Sequence, residues 1–216
     1  MPHGELPYWH FNIPSDQRSK ECPSFLQNLS DKDKRLIGTW DADYEPITWD
    51  EATELIRTNR IDRFRRPPTE LRQYRGFVEQ ISHKYGSPMK YILEHRLRWK
   101  DLTPIGQDLS SPEDWKILVN DWPYGFADGI EHLVVWTKSS LPDDPVTGSI
   151  SARSSRVIEE FVADKFPEMP AGEVIWFKNW RSLKSVHAIE HFHVLLHNPP
   201  PGYIEAIVGD DKQIGC

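Results

Sequence analysis

Hydrophobic periodicity changes once along this chain, and that change constrains the fold more than any other feature. Up to about residue 100 the apolar residues recur at helical spacing. In "TELRQYRGFVEQISHKY" (residues 69–85), Leu71, Tyr74, Phe77, Val78 and Ile81 fall on one stripe. After residue 115 come short apolar runs: "EHLVVWTK" (131–138), "GEVIWFKN" (172–179) and "EHFHVLLH" (190–197). These are strand-sized. One helix, "SARSSRVIEEFVADKF" (151–166), interrupts them, with Val157, Ile158, Phe161 and Val162 as its apolar face. The expected class is α+β, a small β-sheet from the C-terminal half packed against helices from the N-terminal half. The 216 residues suffice for one domain with a real core. Within 1–216, residues 1–47 read as an irregular wrap, 48–100 as basic helices and 115–208 as sheet and active-site region.

Local signals sharpen this reading. Ser30 with Asp33 resembles a short helix start. Thr48 and Glu51 form a capping box that opens a helix through about Arg63. Pro67 and Pro68 break the chain before the helix at Thr69. Gly86 is placed to cap that helix, and Ser87-Pro88 to start the next. Ser111-Pro112 with Asp114 predicts a short fourth helix. "GYIEAIV" (202–208) reads as a possible further strand.

Charge is segregated. Residues 57–100 hold twelve Arg and Lys against four acidic residues, so the segment is +8 in a chain whose net charge is −7. A basic block in an acidic protein is a candidate docking face for a polyanion. The alternative is a solvated helix set whose Arg stems cover the core. No apolar run approaches the ~20 residues of a membrane span. The N-terminus lacks the pattern of a signal peptide. The two cysteines, Cys22 and Cys216, form no disulfide framework. A cytoplasmic location is expected.

Titratable groups gather in "SLKSVHAIEHFHVLLHNPP" (182–200). On a strand over 190–197, Phe192, Val194 and Leu196 face the core, with Glu190 leading their row. His191, His193 and His197 lie on the other face with Leu195. His197 stands too far along the strand to share one ion with His191, so no metal site is expected from these three. Acid–base chemistry fits better, with Lys184, Glu190, His191 and His193 as candidates. In "NDWPYGF" (120–126), Asp121, Trp122 and Tyr124 combine a carboxylate with aromatic faces, the chemistry that holds a guanidinium. His10, flanked by aromatics in "YWHFN", can line a pocket or staple the N-terminus. No Walker loop, dinucleotide-binding glycine pattern, GxSxG elbow or CxxC is present, and no cofactor is called for.

"ILVNDWPYGFADGIEHLVVWTK" (117–138) and "VIWFKNWRSLKSVHAIEHFHVLL" (174–196) resemble a fungal family. That family contains the N-acetylglucosamine-induced protein 1 group and the arginine-containing cyclodipeptide synthases. "YWHFNIP", "CPSFL" and "KYGSPMKYILEHRLRW" are similar to it too, so the likeness covers nearly the whole chain. The resemblance implies an aminoacyltransferase of secondary metabolism. Such an enzyme joins arginine from arginyl-tRNA to a second amino acid from its aminoacyl-tRNA, giving a cyclic diketopiperazine. Arg57, Arg63, Arg65, Arg66, Arg72, Arg75, Arg96 and Arg98 would then meet tRNA. Asp121, Trp122, Tyr124, Trp176, Lys178, Asn179 and His10 would hold substrate. Glu190, His193, Lys184 and His191 would carry the chemistry. A non-catalytic small-ligand binder of the N-acetylglucosamine response is the alternative, and a metal-dependent hydrolase is third.

Overall fold

The computed structural model describes residues 6–180, 189–211 and 213. Its frame is a four-stranded antiparallel sheet in the order β1-β2-β4-β3, formed by β1 (Trp115–Val119), β2 (Ile130–Thr137), β3 (Val174–Phe177) and β4 (Glu190–His197). The fold is α+β. β4 matches its expected bounds, and β2 and β3 differ from theirs by one or two residues at the ends.

The helices are α1 (Asp31–Ile37), α2 (Trp49–Arg57), α3 (Pro68–Tyr85), α4 (Pro88–Tyr91), α5 (Ala152–Lys165) and α6 (Tyr203–Val208). Ser30, Thr48, Ser87 and Ser151 each accept a backbone N–H at an N-terminus, leaving fewer orphan donors in the first turns. Gly86 ends α3 at φ 87°, a left-handed conformation that glycine adopts without a Cβ penalty. α4 runs into a π-helical turn, Ile92–Leu97.

Three expectations need correction. α2 stops at Arg57 rather than Arg63. Asn59 turns the chain at φ 54°, and Ile61–Arg63 form only a 3-10 turn. The expected helix at Ser111-Pro112 is a single 3-10 turn, and the chain then extends as β1. Asp114 is fully buried there and accepts the N–H groups of Ile105 and Gly106, which spends its capping capacity on a loop. "GYIEAIV" is the helix α6, not a strand. Its Tyr203, Ile204, Ile207 and Val208 pack on the core at helical spacing.

Both faces of the sheet are covered, which is why β2 and β4 read as nearly continuous apolar runs. On one face Leu133, Val135, Phe192, Val194 and Leu196 pack against Ile158, Phe161 and Val162 of α5 and Tyr203 of α6. The other face meets the N-terminal half in two clusters. Phe177 and Leu195 pack with Ile47, Ala52, Ile61 and Phe64. Leu118, Val134 and Trp136 pack with Leu97 and, more loosely, Met89, Ile92 and Leu93. Between those clusters the sheet presents His132, His191 and His193, each buried. Among the described residues no helix is long and apolar enough to cross a membrane.

Candidate functional site

A cavity of about 320 Å³ lies over His191 and His193. α3 supplies Tyr74, Arg75, Phe77, Val78 and Ile81 as one wall; Tyr74, Phe77, Val78 and Ile81 belong to the stripe legible in the sequence, whose Leu71 packs instead in the N-terminal cluster. α4 and the π turn supply Pro88, Tyr91, Ile92 and Arg96. The loop after β1 brings Asn120, Asp121, Trp122 and Tyr124, and the sheet brings Trp136, His191 and His193. Its size is at the small end of ligand pockets, and its lining is aromatic with a few convergent polar groups.

The polar floor is a hydrogen-bonded chain. His132 Nε2 lies 3.0 Å from His193 Nδ1, and Asn179 Nδ2 lies 3.2 Å from His193 Nε2. Asn120 Oδ1 accepts the Trp122 N–H, turning its Nδ2 toward the His132 ring at 3.1 Å from Nε2. With Asn179 donating to His193 Nε2, His193 carries its proton on Nδ1 and donates to His132 Nε2; this tautomer follows from the amide orientations. Phe177 stacks on His193 at 4.6 Å, and Tyr124 on His132 at 5.7 Å.

Burial holds these imidazoles neutral. It lowers the His132 pKa to about 3, with the nearby Arg66 guanidinium adding to the effect. It also holds His193 well below the usual range, with His132, His191 and Arg66 contributing. His191 is set differently. Its Nδ1 lies 3.1 Å from the Ile189 carbonyl, which can only accept, so Nδ1 carries a proton. Trp136 packs on that ring at 4.4 Å.

The loop 120–126 is clamped to the chain just before α3. Arg66 donates Nη2 and Nε to the Trp122 carbonyl at 2.7 and 3.2 Å. Its guanidinium lies 4.4 Å from the Tyr74 ring centre and 4.8 Å from that of Tyr124. Gly125 donates to the Arg65 carbonyl. A Cβ on Gly125 would fall 2.2 Å from the Tyr44 hydroxyl and 2.7 Å from Pro67 Cδ, so only glycine allows this approach. Arg96 is 7% exposed and donates Nε to Asp121 Oδ2 at 2.8 Å. The π turn widens the helix where Arg96 turns inward, a common use of that geometry at functional sites.

The expected substrate residues divide. Asp121, Trp122, Tyr124 and Asn179 meet at the cavity. Trp176 packs on the α5 side of the sheet. Lys178 is buried and donates to Asp143 Oδ1 at 2.6 Å, with Glu190 at 3.7 Å. His10 bonds the Ser19 carbonyl in the N-terminal wrap. Of the expected catalytic residues, His191 and His193 line the cavity and Glu190 does not. Lys184 lies outside the described residues.

The basic block is also divided. Arg66, Arg75 and Arg96 line the cavity. Arg96 cannot serve a polyanion, because its donors are spent inside the protein. Arg57 pairs with Glu54, Arg65 with Glu51 and Arg75 with Asp33. Arg72 donates to the Trp9 carbonyl. Arg63 remains exposed beside Lys32, Arg35 and Arg65. Arg98 takes a left-handed φ of 58° at the end of the π turn. Sequence reasoning did not assign His132, Asn120 or Asp211 to the site. His132 had a readable signal, since it sits on β2 among residues of the face opposite Leu133 and Val135.

Residues 48–197 match the family model described as "Protein of unknown function (DUF3605)". The chain belongs to that family. It is 26% identical over 186 residues to N-acetylglucosamine-induced protein 1 of Candida albicans, covering 76% of this chain and 73% of that protein. It is 29% identical over 164 residues to the uncharacterized protein YPL067C of Saccharomyces cerevisiae, covering 72% of this chain and 81% of the other. The crystal structure of HTC1 superposes with a TM-score of 0.59 at 26% identity, over 76% of this chain and 94% of that one. The matched segment carries the whole cavity wall. Among the described residues no group of three or more His, Cys, Asp or Glu is placed to hold a metal ion.

Proposed function

We propose that this protein is an aminoacyltransferase that makes an arginine-containing cyclic dipeptide from arginyl-tRNA and a second aminoacyl-tRNA. The observation that carries the reading is the neutral, buried His193, backed by neutral His132 and set beside His191, at the floor of an aromatic cavity edged by the Asp121 carboxylate. Aromatic faces and a carboxylate suit a guanidinium. Two amide bonds form and two aminoacyl ester bonds break. Each attacking amine loses a proton and each departing tRNA hydroxyl gains one, so the site must move protons without keeping any. A neutral imidazole does this. His191, oriented by its Nδ1 contact to the Ile189 carbonyl, is the group we assign to take the amine proton. The His193–His132 pair and Asn179 hold the adjacent wall and stay uncharged. Arg66 is a fixed cation beside the carbonyl oxygen as it gains charge. Exposed Arg63, with Arg35 nearby, offers phosphate contacts. The test is mass spectrometry of the products formed by purified protein with charged tRNAs. A cyclic arginyl dipeptide that disappears with His191→Ala is the expected result, and no product from any pair of aminoacyl-tRNAs containing arginyl-tRNA would sink the reading.

A second reading has its own support. Arg57, Arg65 and Arg75 are matched by carboxylates of the same chain, which weakens the basic block as a tRNA face. The same cavity would then bind a small polar ligand without catalysis. Retention of tRNA on the immobilised protein at low salt separates the two.

A further inference from the structure

The His193–His132 pair joins two cavities. A second cavity of about 320 Å³ shares Val119, Asn120 and Tyr124 with the first. His193 lines the first and not the second, and His132 lines the second and not the first. Exposed Glu70 and Glu131 are among the residues of the second, so it meets solvent. The 3.0 Å contact from His193 Nδ1 to His132 Nε2 thus runs from one space to the other.

The amides at the two ends of the pair do not commit it to one tautomer. Asn120 is held by its Oδ1, which accepts the Trp122 N–H. Its Nδ2 lies 3.1 Å from Nε2 and 3.3 Å from Nδ1 of His132, so it can donate to whichever nitrogen of that ring holds the lone pair. Asn179 is only 6% exposed, and its Oδ1 is buried without a hydrogen-bond partner. Such orphans are uncommon, because an unpaired buried acceptor costs free energy. Half a turn of this amide exchanges Oδ1 with Nδ2, which lies 3.2 Å from His193 Nε2. The acceptor then meets an Nε2–H. The Tyr124 hydroxyl beside the amide can donate or accept, and suits both orientations. The chain of four side chains therefore has two hydrogen-bonded arrangements. In one, His193 Nδ1–H donates to His132 Nε2. In the other, His193 Nε2–H donates to Asn179 Oδ1, His132 Nε2–H donates to His193 Nδ1, and His132 Nδ1 accepts from Asn120.

We propose that His193 and His132 form a relay that carries a proton from the first cavity to the second. A proton taken up at His193 Nε2 is matched by one released from His132 Nδ1 to solvent water in the second cavity. Between them the Nδ1–H bond of His193 breaks and the Nε2–H bond of His132 forms, so neither ring ends with a charge. Burial, which holds both rings neutral, suits a relay of this kind. The relay rests on the transferase reading above for its proton source alone: the amine proton leaves by the back of the site while substrate fills the front. The test is a long-range proton–nitrogen NMR spectrum, near neutral pH, of the protein labelled with nitrogen-15 histidine and assigned from His132→Gln and His193→Gln. It reads which nitrogen of each neutral imidazole carries the proton. Exchange between the two arrangements should bring the Nδ1 and Nε2 signals of both rings to positions between the protonated and unprotonated limits. Asn179→Leu removes the acceptor that the second arrangement needs, so the two signals of each ring should move apart to the limits, with His193 protonated on Nδ1. Wild-type signals already at the limits, one tautomer per ring, overturn the relay and leave the transferase reading standing. Averaged signals that persist unchanged in Asn179→Leu overturn it as well. If Asn179→Leu does not fold, the wild-type spectrum decides alone. The spectrum needs no substrate, so its outcome is independent of whether a cyclic dipeptide forms.

Discussion

His132 Nε2 and His193 Nδ1 meet at 3.0 Å across neighbouring strands. Their rings are 5.1 Å apart, and neither has a carboxylate among its hydrogen-bond partners in the described residues. Asp and Glu partners would raise an imidazole's pKa. Asparagine amides and aromatic rings leave burial unopposed.

Acid stability follows from this pair. His132 titrates at about 3 in the folded protein against the ordinary 6.5. The folded state therefore binds fewer protons than the unfolded state between those values, and stability falls as pH drops from 6.5 toward 3. The slope per fully coupled imidazole is about 1.4 kcal/mol per pH unit. Above pH 6.5 these groups contribute no slope. Urea melts at pH 7.5, 6.0 and 5.0 should show flat, then falling stability, and His132→Gln should flatten the acid limb. An unchanged limb in that variant would place the acid sensitivity elsewhere.

Packing on the α5 side supplies a control. Phe192 is fully buried and meets Phe161 edge to face at 5.8 Å. Phe192→Ala should cost about 3–5 kcal/mol, read from denaturant midpoints. Gly125→Ala should cost about 1–3 kcal/mol, the scale of overpacking, because the new methyl meets the Tyr44 hydroxyl and the Pro67 ring. It should also loosen the loop that carries Asp121 and Trp122, so its cost in ligand affinity should exceed that of Phe192→Ala.

The arginines before α3 separate by position. Arg66 is a clamp inside the cavity, whereas Arg63 is exposed. Arg63→Ala with Arg35→Ala should reduce tRNA binding and its salt slope by about one contact each, leaving small-ligand affinity intact. Arg66→Lys should do the reverse, because a lysine loses the paired bond to the Trp122 carbonyl and the stacking on Tyr74 and Tyr124. Filter binding across a salt series, beside calorimetry with arginine amide, tests both. Loss of tRNA binding only in Arg66→Lys would contradict the assignment.

Much of the fold was legible because local signals agreed with tertiary packing. The caps at Ser30, Thr48 and Ser87, the glycine at 86 and the α3 stripe all stand in the structure as read. β1 was not legible. The proline and acid at 112–114, just before it, mimic a helix start, but Asp114 is bonded to the N–H groups of Ile105 and Gly106 in the preceding loop instead of capping a helix. α6 was misread because six residues of mixed period cannot distinguish helix from strand. The site was half legible. Alternation on β4 placed His191 and His193 together. The partners that matter to them, His132, Asn179 and Asn120, come from β2 and from the segments after β3 and β1, and pairing across strands is not written in any one of them. Grouping Glu190 with His193 as candidates overlooks the alternation, which puts an even and an odd position of β4 on opposite sides of the sheet.

That separation gives the sharpest test of the chemistry. Glu190 shares the α5 side with Phe192 and pairs with Lys178, whose ammonium also holds Asp143. His191 and His193 line the cavity on the other side. A base must lie within hydrogen-bond reach of the proton it takes, so the proposed reaction assigns its base to the imidazole face. Glu190→Gln removes one charge from a pair that is 30% exposed on the glutamate side, and Lys178 keeps Asp143. The expected cost is on the order of 1 kcal/mol of stability, with at least half of the cyclic dipeptide yield retained. His191→Ala should lower the rate by about 10²- to 10⁴-fold, the span of a positioned acid–base group, with a melting temperature within a few degrees of wild type. His193→Gln should fall between, because it keeps a hydrogen-bonding side chain beside His132 but loses the imidazole. Single-turnover rates with saturating charged tRNAs, measured beside melting curves, read all three. Full loss in Glu190→Gln with both histidine variants active would move the base across the sheet, to the side occupied by Lys178 and Asp143.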